Sequence, residues 1–85
     1  MAKVLIIKSL KDEILKKFKG SSKVVFKLMY SLENQSNKGK LIGSVGGLLI
    51  KELKYEGFRF YFIVDGNKIR FLSGSDIENL FIRFV

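Results

Sequence analysis

The sequence predicts an α+β domain in which a helical hairpin lies on a small antiparallel sheet, in the order β-α-α-β-β-β. Three observations predict it. Apolar residues recur at helical spacing from Leu10 to Leu32, the pattern changes to period two from Leu48 onward, and that second part is punctuated by the two-residue loops Glu56-Gly57 and Asp65-Gly66. With 85 residues, the chain has room for one core and reads as a single domain over residues 1–85. Apolar residues make up 47%, enough to fill that core, and 28% charged residues suit a solvated surface rather than a disordered chain.

Val4-Leu5-Ile6-Ile7 is an apolar, β-branched run and reads as a first strand, ended by Ser9. Ser9 as N-cap, with Asp12 and Glu13 in the first turn, starts a helix over residues 10–19 whose apolar face is Leu10, Ile14, Leu15 and Phe18 and whose stop is Gly20. Ser21 and Ser22 cap a second helix that carries Val25, Phe26, Met29 and Leu32 to Asn34. So short a connection makes the pair antiparallel, with Lys11, Lys16, Lys17, Lys19, Lys23 and Lys27 on outward or rim positions. Residues 35–47 are polar and glycine-rich and read as loop; Gly43-Ser44-Val45-Gly46-Gly47 lacks the Gly-Lys-Ser/Thr ending of a phosphate loop.

Three strands follow, over residues 48–55, 58–64 and 67–73. A two-residue loop with glycine second suits a type I′ turn, which sets Leu53 opposite Phe60, Val64 opposite Asn67, Phe62 opposite Ile69 and Phe60 opposite Phe71. Leu53, Phe58, Phe60, Phe62, Ile69 and Phe71 then share one face, a floor for the helices; a base-stacking platform is the other use of so many rings. Residues 77–85 fit either a helix capped by Ser75 or a strand at Leu80-Phe81-Ile82-Arg83-Phe84-Val85, and the composition favours a fourth strand.

The chain has neither Cys nor His, which removes disulfides, zinc sites built on those ligands, thiol nucleophiles and every His-based triad. Catalysis, if any, falls to Lys, Arg, Tyr, Asp or Glu, or to electrostatic stabilisation of a developing charge. Sixteen Lys plus Arg against eight Asp plus Glu give a net charge of +8, a field that favours nucleic acid, anionic lipid or an acidic protein. The longest nearly apolar run, residues 41–50, is too short to span a bilayer, and the start of the chain makes no convincing signal peptide. A cytoplasmic protein without membrane association is expected.

The expected register lines up the second sheet face: Lys54 with Arg59, Glu52 with Tyr61 and Arg70, and Ile50 with Ile63 and Lys68. From the residues alone this is either a solvated face laced with cross-strand pairs or a site for a polyanion.

A strand, a lysine-rich helical hairpin, Gly39-Lys40-Leu41, the triplet Glu52-Leu53-Lys54 and the run Gly57-Phe58-Arg59-Phe60 follow one another in an order and spacing that resemble the RelE/ParE/HigB-like toxins of type II toxin-antitoxin systems. The resemblance covers most of the chain. It implies a RelE-like fold and, for members similar to RelE and HigB, ribosome-dependent endoribonuclease cleavage of messenger RNA; ParE-like members poison DNA gyrase instead. Arg59 matches the family arginine expected on the scissile phosphate, and Lys54 matches the basic position of the triplet. Attack by a 2′-hydroxyl needs a base, an acid and cations for the charge on phosphorus. Arg59, Lys54, Tyr61 and Arg70 are the candidate catalytic residues, which the resemblance implies work without metal or cofactor, with the base left open among Lys54, Tyr61 and Glu52. Lys16, Lys17, Lys23, Lys51, Lys68 and Arg83 are the candidates for tracking RNA. The implied partners are a cognate antitoxin protein, the ribosome and messenger RNA. The alternative within the same fold is a non-enzymatic member: a gyrase poison, or an inactive or truncated relative that only binds nucleic acid or antitoxin.

Overall fold

The computed structural model of the chain describes residues 2–35, 37–73 and 76. They form strand β1 (Lys3–Ile6), helices α1 (Lys8–Phe18) and α2 (Ser22–Tyr30), and strands β2 (Lys40–Val45), β3 (Leu48–Tyr55), β4 (Phe58–Asp65) and β5 (Lys68–Leu72). Two 3₁₀ turns, Lys19–Ser21 and Ser31–Glu33, follow the helices. One sheet holds the five strands in the order β1-β5-β4-β3-β2, with β1 parallel to β5 and the remaining neighbours antiparallel. The class is therefore α+β, with one strand more than the expected order among the described residues. The addition is β2, in a stretch that reads as loop. Its Leu41, Ile42 and Val45 supply strand-forming side chains between glycines. Gly46 and Gly47, at φ 56° and 83°, close a tight hairpin that brings Val45 opposite Leu48. The expected alternatives for residues 77–85 lie outside the described residues.

The helices start and stop close to where the pattern puts them, by different means. The backbone N–H groups of Leu10 and Lys11 both donate to the Ile7 carbonyl, so α1 opens at Lys8 and Ser9 lies inside its first turn rather than capping it. The reversal after α1 takes place at Lys19, which adopts φ 47°, and not at Gly20. Beyond Tyr30 the chain tightens into a 3₁₀ turn, which carries Leu32 into the core. The core itself joins Leu10 and Ile14 of α1, Val25 and Met29 of α2, Val4 and Ile6 of β1, and Leu53, Phe60, Phe62, Ile69 and Phe71 of the sheet. Phe62 and Phe71 meet with ring centroids 5.0 Å apart, in the middle of that layer. On the outer flank of the sheet, the Val4 N–H donates to the Glu33 carboxylate at 3.1 Å, which ties the edge strand to the end of the helical layer. Among the described residues no helix is long and apolar enough to cross a membrane.

The register of β3 on β4 is the expected one, with Lys54 opposite Arg59, Leu53 opposite Phe60 and Glu52 opposite Tyr61. That of β4 on β5 is displaced by two residues: Asp65 faces Lys68, Val64 faces Ile69 and Phe62 faces Phe71. The turn residues are Gly66 and Asn67, with Gly66 at φ 61° in the first position, instead of Asp65 and Gly66. A shift of two leaves every side chain on its expected face but moves the rows about 7 Å along the strand. The expected pairings of Phe60 with Phe71 and of Phe62 with Ile69 are corrected accordingly.

Gly39, at the entrance to β2, has φ +102°, and a Cβ built there would stand 2.9 Å from Phe62 Cζ and 3.2 Å from the Glu52 carbonyl oxygen. The backbone thus passes directly over the buried ring. Gly39→Ala is expected to destabilise the fold by about 1–3 kcal/mol, from backbone strain and from overpacking against Phe62. Denaturant titration beside Gly43→Ala, whose added methyl meets nothing within 4 Å, checks it; equal midpoints for the two variants would refute the contact.

Candidate nucleic-acid interface

Strand alternation sorts the sheet into two faces. Leu53, Phe60 and Phe62 meet the helices, and Ile50, Glu52, Lys54, Arg59, Tyr61 and Ile63 lie on the opposite face. Rows across that outer face follow from the pairing. Lys54 stands beside Arg59; the next row runs Lys40, Glu52, Tyr61, Leu72; the next runs Gly43, Ile50, Ile63, Arg70, Leu5; and Asp65, Lys68 and Lys3 form the last.

The first two rows bring most of the candidate site together. Arg59 Nη1 lies 3.9 Å from Glu52 Oε2, with the Arg59 side chain 58% exposed and that of Glu52 only 15% exposed. A contact this long on so open a guanidinium contributes about 0–1 kcal/mol and leaves most of its donors facing solvent. Lys54 is exposed at the neighbouring position on β3, and Tyr61 is half-buried on β4. Lys40 completes the group on the far side of Glu52. The residue pattern hides it, because residues 35–47 read as loop; the readable signal was the Gly46-Gly47 turn, which would have folded Lys40 back beside Glu52.

Other candidates lie elsewhere. Arg70, expected in the row of Glu52 and Tyr61, stands instead opposite Ile63, one row further along, with Leu5 on its other side. Between the two charged ends lies an apolar strip of Val45, Ile50 and Ile63, against which Leu48, Tyr61 and Leu72 pack. Lys68 is beyond that strip beside Lys3, both exposed. Lys51 points to the helical side of the sheet, where its Nζ donates to the Asn37 carbonyl at 3.5 Å. Lys16, Lys17 and Lys23 are exposed on the helices, and the Lys17 Nζ lies 4.4 Å from the centre of the Phe58 ring. Arg83 lies outside the described residues.

Lys40, Lys54 and Arg59 thus surround one carboxylate and one phenol. The cations can hold a phosphodiester, Arg59 through two parallel hydrogen bonds, while the Glu52 carboxylate can take a proton and the Tyr61 hydroxyl can give one. Among the described residues, no three acidic side chains gather to hold a metal ion. Comparison of the chain with protein-family models, curated proteins and solved structures returned no match.

Proposed function

We propose that this protein is the toxin of a toxin-antitoxin pair, a cytoplasmic, ribosome-dependent endoribonuclease with a RelE-like fold. The observation that supports the reading best is the cluster of Lys40, Lys54 and Arg59 around Glu52 and Tyr61 on the open sheet face. In the proposed reaction, Arg59 and Lys54 bind the scissile phosphate and neutralise the charge that grows on it. Glu52 accepts the proton of the attacking 2′-hydroxyl, and Tyr61 protonates the departing 5′-oxygen. The products are a 2′,3′-cyclic phosphate and a free 5′-hydroxyl, with no oxidant, metal or cofactor required. Lys40 anchors the strand on the other side of the carboxylate. A net charge of +8 draws the protein to ribosomal RNA and gives an acidic antitoxin segment a surface to neutralise.

Primer extension on a defined messenger RNA, with and without ribosomes, tests the proposal. Cleavage confined to the ribosome-containing reaction is the expected result. Intact RNA together with blocked supercoiling by DNA gyrase would replace it with the gyrase-poison reading, and intact RNA with active gyrase would leave a non-catalytic binding protein.

A further inference from the structure

Three of the four phenylalanines expected to floor the helices, Phe60, Phe62 and Phe71, are buried, whereas Phe58 is 39% exposed. It stands where β4 runs on past the end of β5: the pairing of these strands stops at Tyr61 with Leu72, while β4 begins at Phe58. A cleft of about 160 Å³ opens there between α1 and β4, with Phe18, Phe58 and Phe60 among its walls. Phe18 meets the Phe58 ring edge-on, centroids 4.9 Å apart at 77°. Lys17 and Glu13 of α1 border the cleft with a charge of each sign, and Arg59 and Tyr61 border it from β4. Arg59 therefore belongs both to this cleft and to the cationic cluster on the outer face.

We propose that the cleft receives a nucleobase of single-stranded RNA, from the nucleotide adjoining the phosphate held by Arg59. This rests on the RNA-binding reading above and adds a base site to it. The aromatic walls offer ring surface to a base, and Lys17 beside Phe58 together with the cationic cluster reached through Arg59 favours a polyanion over an apolar side chain of a protein partner. Lys17 sits over Phe58 in a weak surface cation–π contact, so it can swing to a phosphate as the ring takes up the base. Continuity between cleft and cluster through one arginine links base recognition to placement of the scissile bond.

The test compares binding of a short oligoadenylate with that of an abasic ribose-phosphate chain of equal length, by fluorescence anisotropy at low salt, for the wild-type protein, Phe58→Leu and Arg59→Ala. Leucine keeps an apolar side chain against Phe18 and removes the ring face. The wild type is expected to bind the base-bearing chain about tenfold more tightly. Phe58→Leu is expected to bind both chains alike, at the abasic affinity, and Arg59→Ala to weaken both. A preference for bases that survives in Phe58→Leu, or is absent from the wild type, overturns the cleft as a base site. In that case the loss in Arg59→Ala still upholds RNA binding at the cluster. Failure of the wild type to bind either chain overturns both.

Discussion

Arg59→Ala is expected, under the proposed function, to lower the rate of ribosome-dependent messenger RNA cleavage by about 10²–10³-fold and to release the growth arrest expected of the wild-type protein. The guanidinium is 58% exposed and lies 3.9 Å from Glu52, so little of the packing depends on it. Its removal therefore leaves the fold standing, and unchanged thermal unfolding of the variant separates a chemical loss from a structural one. Arg59→Lys is expected to fall between the two, because lysine keeps the charge and loses the two-pronged grip on phosphate. Single-turnover cleavage of one radiolabelled messenger on purified ribosomes measures all three proteins. Equal rates for wild type and Arg59→Ala would remove Arg59 from the reaction.

Phe62→Ala is expected to cost about 3–5 kcal/mol of stability. The ring is fully buried, packs on Phe71 at 5.0 Å and lies beneath the backbone of Gly39. Against a total stability of about 5–15 kcal/mol for a domain, and toward the lower end for one of this size, such a loss leaves a substantial unfolded fraction at room temperature. Urea titration followed by circular dichroism reads it as a fall in midpoint, with Phe62→Leu losing less. A fall below about 1 kcal/mol would mean that the helices and sheet close over the vacated space.

How far the residues announce this arrangement depends on which physical signal sets each part. The helical layer is legible because Leu10, Ile14, Val25 and Met29 recur at helical spacing, and these are the side chains that the core takes. The hairpin of β3 and β4 is legible because Glu56-Gly57 allows a single tight turn, with φ 46° and 87°, so Lys54 and Arg59 fall opposite each other as expected. Asp65-Gly66-Asn67 is different: both Asp-Gly and Gly-Asn make good two-residue turns, and the choice between them moves Arg70 from the row of Tyr61 to that of Ile63. Burial cannot discriminate, since both registers keep Ile69 and Phe71 on the core face. Lys40 escaped notice because a strand of six residues with a glycine in it resembles a loop until its neighbour is known. Phe58 reads as a core residue by alternation, but it lies three residues beyond the last β4–β5 pair and is 39% exposed.

The pairing of β1 with β5 joins the first and the last strand of the described chain, Lys3 with Lys68 and Ile6 with Phe71. Synthesis proceeds from the amino terminus, so the first strand emerges long before its partner exists. The hydrophobic layer contributed by Val4 and Ile6 stays open while the intervening residues are made. Closing a loop of this length is expected to be slower than forming the helices within it. The five-stranded sheet therefore cannot close until residues 68–72 have left the ribosome, and until then the backbone groups of the first strand stay open to any other strand that can pair with them.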